Sequence, residues 1–248
     1  MKKMLLVPSL LLASNLAQAD TVFGVYAGGG SWNTAYSGDV GVSDIDVEDV
    51  LNLDDEGRNF FYVAIEHPIP LVPNIRLQRT DISTKGSGEI TSEMIFGDKS
   101  FSDEAVSTEV DLSHTDATLY YEILDNWVNL DLGLTLRMFD GEGKIVGATS
   151  GSEKLNVDDT APMLYAAARF DLPLTGLSVG ADINGLGYSG NTLTDFTAKI
   201  SYTTDIVPLI DIGVEAGYRQ MQLVLDDIGD LETDFSIAGP YLSLNFHL

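Results

Sequence analysis

The chain has 248 residues, 13 Lys and Arg against 38 Asp and Glu, a formal net charge of −25, 24 Gly and no Cys. The lack of Cys excludes a disulfide scaffold, a thiolate nucleophile and a Cys-ligated metal site, and the acidic balance argues against nucleic acid, whose phosphates need clustered Lys and Arg. A hydrophobic content of 44% is too high for a disordered acidic chain, and the length suits one all-β domain.

Lys2 and Lys3, the apolar run from Met4 to Leu12, and Ala17-Gln18-Ala19 read as a secretory signal peptide, with cleavage expected between Ala19 and Asp20. The run is far shorter than the roughly 20 residues a spanning helix needs. No Cys follows the cleavage point to carry a lipid. No later segment has a long unbroken apolar run, which leaves a soluble exported protein or a membrane β-barrel.

Period-two alternation then dominates. Strands are expected at 22–34, 59–67, 75–83, 104–124, 127–139, 163–172, 177–188, 196–203, 209–219 and 233–248. The fold expected is an all-β transmembrane antiparallel barrel of ten strands, with eight to twelve as the range. In 127–139, Val128, Leu130, Leu132, Leu134, Leu136 and Met138 share one face and Asn129, Asp131, Gly133, Thr135 and Arg137 the other. Parity breaks near His114–Asp116 and at Gly239-Pro240, where bulges are expected. Ile45 to Leu53 is expected to form one short helix.

The connections alternate in length. Pro68–Asn74, Leu124–Asn126, Pro173–Gly176 and Thr204–Pro208 are short, while 37–58, 84–103, 140–159 and 224–233 are long or acidic and only 189–193 on that side is brief. Short turns at one end and long loops at the other are the pattern of an outer-membrane barrel, with the turns in the periplasm.

Alternation does not say which face is outward, because a lipocalin-like soluble barrel turns its apolar face inward. The opposite face decides. It carries Arg76, Glu122, Asp131, Arg137, Arg169, Lys199, Asp211, Glu215 and Arg219 among small residues. Arg pairs bidentately with carboxylates in a confined space, so these nine are read as a charge network filling a narrow lumen, with a solute pathway as the sharper alternative. Aromatics near the strand ends (Trp127, Tyr121, Tyr165, Phe170, Tyr188, Tyr202, Tyr218 and Phe246) are read as an interface girdle.

Four segments carry a resemblance: Gly28-Gly29-Gly30 before Trp32, the turn His67 to Asn74, the run Leu132 to Gly141, and the end Gly239 to Phe246. Together they resemble a family of Gram-negative outer-membrane β-barrel proteins marked by an N-terminal Gly-Gly motif, over the whole chain after the signal peptide. The resemblance implies fold and outer-membrane location, and no catalytic residue. The last strand, with Tyr241, Leu242, Leu244, Phe246 and Leu248, resembles the signal read by the barrel-assembly machinery, with Leu248 where a terminal Phe is usual.

The first long loop holds Asp44, Asp46, Glu48, Asp49, Asp54 and Asp55, a weak candidate for a divalent cation. The spacing is not that of an EF-hand, and a solvated acidic loop is the plainer reading. Acidic segments near anionic lipopolysaccharide would recruit bridging cations. His114, with Asp116, Asp111 and Ser113 nearby, is the one candidate for a rim enzyme. No Gly-x-Ser-x-Gly elbow and no phosphate loop is present in the sequence.

The expectation is thus an outer-membrane barrel of structural or surface-interaction role, without cofactor or catalytic activity. Its expected partners are outer-membrane lipid, lipopolysaccharide and divalent cations, not nucleic acid. A narrow pore, a rim enzyme using His114 and a soluble periplasmic barrel are the alternatives.

Overall fold

The computed structural model describes residues 23–40, 45–207, 210–228 and 231–248. The signal peptide, Asp20 and Asp44 lie outside them. In chain order the strands are β1 (Gly24–Val40), β2 (Ile45–Asp46), β3 (Glu56–Glu66), β4 (Asn74–Thr80), β5 (Ser83–Ile90), β6 (Met94–Phe96), β7 (Lys99–Phe101), β8 (Glu104–Asp111) and β9 (His114–Leu124). They continue as β10 (Val128–Phe139), β11 (Gly141–Gly147), β12 (Gly151–Val157), β13 (Thr160–Asp171), β14 (Leu177–Tyr188), β15 (Asn191–Val207), β16 (Ile210–Ile228) and β17 (Leu231–His247). No helix occurs among the described residues.

Ten strands close into an antiparallel barrel in the order β1-β3-β4-β9-β10-β13-β14-β15-β16-β17, with β17 returning to β1. The seam runs from Tyr26 opposite His247 to Val40 opposite Thr233. It is locked at the short-turn end, where Val25 and Leu248 exchange backbone hydrogen bonds of 3.1 and 3.0 Å.

The alternation resolves as apolar outside and polar inside. Leu134 is 61% exposed and Leu164 70%, whereas Thr135 and Met163, their chain neighbours, are at most 1% exposed. Leu132, Leu136, Phe61, Val63, Leu119, Leu242 and Leu244 extend the exposed apolar surface around the barrel. A continuous apolar exterior of this size on a barrel with a polar interior fits a hydrocarbon solvent, not water.

Several expectations change. The 104–124 segment is not one bulged strand: His114–Asp116 pair regularly with β4 and β10, and the break falls at Leu112–Ser113. There Leu112 N donates to Ile82 O at 2.8 Å and Ile82 N donates to Ser113 Oγ at 3.0 Å. Beyond that joint β5, β8, β11 and β12 form a separate four-stranded sheet, in the order β12-β11-β8-β5. It continues the walls of β4, β9, β10 and β13, so the supposed loops 84–103 and 140–159 are largely strand, with β6 and β7 as a small hairpin.

The expected helix at 45–53 is a single turn. Val50 N and Leu51 N both donate to Asp46 O at 3.2 Å. Asn52 then adopts φ 49°, and Leu53 bridges to Gly86, which draws the chain onto the sheet instead of extending a helix. At Gly239-Pro240 no residue is inserted, since both keep register with β16. The ladder to β1 opens there instead, and Trp32 Nε1 donates to Gly239 O at 3.1 Å. The acidic segment 224–233 is mostly strand, because β16 reaches Ile228 and β17 starts at Leu231.

The largest apolar core sits at the long-loop end. Trp32, Met163, Met221 and Ile237 from the barrel pack with Leu51 from the first loop and with Ile90, Phe101 and Ile145 from the added strands.

Candidate functional site: the lumen

Strand parity sends all nine expected charged residues toward the inside, but they do not form one network. Two tiers and a vestibule result. Nearest the apolar core, Arg137 of β10 and Arg219 of β16 clamp Asp116 of β9 and Asp195 of β15. Arg137 Nε and Nη2 donate to Asp116 at 2.8 and 2.7 Å, and Nη2 also reaches Asp195 Oδ2 at 2.6 Å. Arg219 Nε and Nη2 donate to Asp195 at 2.9 and 2.6 Å. Arg219 also donates to Thr80 Oγ1 at 3.2 Å and lies 4.7 Å from the Trp32 ring. Arg137 is fully buried, and Asp116, Asp195 and Arg219 are at most 5% exposed. Two cations and two anions balance, as they must away from water.

The second tier lies nearer the short turns. Lys199 pairs with Asp182 at 2.5 Å and with Glu215 at 4.0 Å. Tyr241 donates to Glu215 at 2.7 Å. Arg76 lies 4.3 Å from the Tyr62 ring centroid and donates to Gln78 at 2.8 Å.

Below this tier the lumen opens into a cavity of about 450 Å³ whose wall includes Glu66, Glu122, Asp131, Arg169 and Asp211. Arg169 pairs with Asp171 at 3.2 Å, and His247, stacked 4.1 Å from Tyr26, faces Asp211 at 3.4 Å. Between the two tiers, among the described residues, a smaller polar space of about 50 Å³ remains. The lumen is therefore blind from the short-turn side: ion pairs fill its middle and apolar side chains its far end.

Asp195, Asp182 and Glu66 are functional partners that the alternation alone did not single out. Asp195 lies one residue before the expected strand 196–203, and β15 in fact begins at Asn191. The signal was its parity with Thr197 and Lys199.

Other expected sites move. Asp46 Oδ1 accepts from Glu48 N at 2.8 Å and Asp49 N at 2.6 Å, so this carboxylate caps the turn. Glu48, Asp49, Asp54 and Asp55 are exposed. Among the described residues no group of three or more acidic or His side chains is placed to hold a metal ion. Asp44, one of the six acids expected there, lies outside the described residues. His114 is no rim residue: it is 0% exposed, with Nδ1 2.9 Å from Leu112 O, beneath the added sheet. Tyr165 points inward, 8% exposed, and does not belong to an exterior girdle. Tyr241 faces the lumen, where it meets Glu215, while Leu242, Leu244 and Phe246 are exposed.

The fold and the lumen define the class: a ten-stranded barrel of the outer-membrane type. No protein-family model matches the chain, and no curated protein matches its sequence. Solved structures do. The outer membrane protease OmpT from Escherichia coli is similar over 94% of this chain and 98% of its own, with 9% identity and a TM-score of 0.48. The outer membrane protein OprG from Pseudomonas aeruginosa is similar over 91% and 95%, with 8% identity and a TM-score of 0.27. The CymD monoaromatic hydrocarbon channel covers 78% of this chain and 51% of its own, with 10% identity and a TM-score of 0.31. Likeness at this level concerns the fold. The expectation of no catalytic activity is corrected to this extent: one of the structures sharing the fold is a protease, so the fold does not exclude an enzyme.

Proposed function

We propose that this chain is an integral barrel of a Gram-negative outer membrane, delivered there by the signal peptide at residues 1–19, and that it works through the surface it holds outside the bilayer. One observation supports this most directly. The lumen is closed by the Arg137–Asp116–Asp195–Arg219 cluster and an apolar core, while four strands continue beyond the barrel as a folded platform. A barrel built to pass solute does not need a dry core across its mouth, whereas a barrel built to display a platform benefits from one.

The platform's outer face carries both signs, with Lys85, Lys144 and Lys154 among Glu89, Glu109, Asp111 and Glu142. Lys85, Glu109, Lys144 and Lys154 stand side by side across β5, β8, β11 and β12. Lys85 pairs with Glu109 at 2.9 Å, which holds the Glu109 carboxyl below its usual range, and Lys154 pairs with Glu142. The long-loop end is thus less uniformly acidic than the composition suggests, and lipopolysaccharide bridged by divalent cations is the partner this reading assigns to it. The outward-facing Leu242, Leu244 and Phe246 of the last strand are the part the assembly machinery would read.

Planar-bilayer recording of the purified full chain tests this role. The expected result is no steady single-channel current, and a sustained open conductance would overturn the surface role in favour of transport.

A further inference from the structure

The blind cavity at the short-turn end has its own chemistry. Its volume of about 450 Å³ lies in the range that holds small organic ligands. Its wall is unbalanced. Glu122 and Asp131 stand directly opposite each other on β9 and β10, an arrangement that repels unless a cation lies between them. Glu66 is close enough to repel both.

Among the described residues none of these three carboxylates is bonded to a basic side chain. Glu66 accepts from Tyr120 at 2.7 Å and Glu122 accepts from Asn74 at 3.0 Å. Arg169, whose charge reaches Asp131, is paired with Asp171. The inner end is balanced, with Arg76 and Lys199 beside Asp182 and Glu215. Arg76 lines the cavity there and keeps a buried Nε without a hydrogen-bond partner. Tyr62 and Tyr165 supply ring faces along the wall.

We propose that this cavity binds a small molecule that is cationic at one end and a hydrogen-bond acceptor at the other: a basic amino acid or a short basic peptide entering from the short-turn side. Its ammonium or guanidinium group sits between Glu122 and Asp131, its aliphatic stem runs along the tyrosine faces, and its carboxylate approaches Arg76. The cation relieves the repulsion between the facing acids, and the carboxylate meets the guanidinium of Arg76 where it lines the cavity. Binding at a blind cavity needs no passage through the barrel, so this inference is independent of the conductance result.

Calorimetric titration of the full chain in detergent micelles tests it, with L-lysine, L-arginine, L-glutamate and putrescine as probes. Lysine and arginine are expected to bind, glutamate not, and putrescine, which lacks the acceptor, about tenfold more weakly than lysine. The double variant Glu122→Gln, Asp131→Asn removes a repulsion, so its barrel folds and keeps a boiled-against-unboiled gel shift, yet its affinity for arginine falls about tenfold or more. Absence of lysine and arginine binding, glutamate binding as tightly as arginine, putrescine equal to lysine, or unchanged affinity in the folded double variant would each overturn the proposal.

Discussion

Arg137 and Arg219 share one acceptor: Asp195 Oδ2 takes a hydrogen bond from the Nη2 of each, both at 2.6 Å. The two guanidiniums come from β10 and β16, strands that are not neighbours in the wall. A single carboxylate oxygen therefore ties opposite sides of the barrel together through its centre.

Removing that carboxylate strands two buried cations on Asp116 alone. Breaking a buried ion pair by deleting one partner costs about 3–5 kcal/mol, and Asp195→Ala is expected to lose that much in urea unfolding of the protein in lipid vesicles. A loss below about 1 kcal/mol would mean that water reaches the cluster and that the lumen is not sealed there.

Leu134 tests the solvent outside the barrel. In lipid, Leu134→Arg places a charge on the hydrocarbon face and costs about 2–4 kcal/mol at the bilayer midplane. In water the same change at a position 61% exposed would be near neutral. Unfolding measured from vesicles therefore discriminates between a membrane barrel and a soluble one.

Gly88 tests the packing of the first loop on the added sheet. A Cβ at this position would sit 1.6 Å from Val50 O, so Gly88→Ala forces the loop away. The expected cost is about 1–3 kcal/mol for an overpacked site. Limited proteolysis is expected to cut at 45–55 in the variant while the barrel keeps its gel shift. Resistance equal to the parent would show that the loop adjusts without detaching.

Glu104 makes the platform sensitive to acid. Its Oε2 accepts from Thr149 N at 2.7 Å, Thr149 Oγ1 at 2.9 Å and Ser150 N at 3.1 Å. Hydrogen bonds from Ser150 and Thr149 hold the carboxyl down to about 2, against an ordinary value of 4.5. A depressed folded value means the anchor contributes fully above 4.5 and is lost as pH falls toward 2. Hydrogen exchange at Gly147–Gly151 should rise across that window and lose its pH step in Glu104→Gln. An unchanged pH step in the variant would assign it to another acid.

The barrel itself was legible because lipid-facing positions must be apolar at every second residue, as from Leu130 to Met138. The added sheet was not, because its inner face packs on the first loop and the apolar core while its outer face is polar. In β5, Thr84, Gly86, Gly88 and Ile90 alternate with Lys85, Ser87 and Glu89, a small-against-polar parity that resembles a loop. Its meaning is steric: Gly86 and Gly88 leave room for the backbone of Leu51 and Val50. The lumen was half legible. Arg137 and Arg219 stood out as charges in apolar strands, but which acids they choose depends on which strands face each other across the barrel, and periodicity carries no information about that.

Tyr26 pairs with His247 across the seam between β1 and β17, and no side chain at Gly28, Gly29 or Gly30 holds those strands apart. A Cβ at Gly30 would lie 2.1 Å from Leu242 O. The first strand thus has no partner on that edge until β17 has formed, and until then it presents an open edge to any other chain nearby. Closure of the wall therefore rests on β1 meeting β17, and a chain without β17 would remain a curved sheet with two open edges.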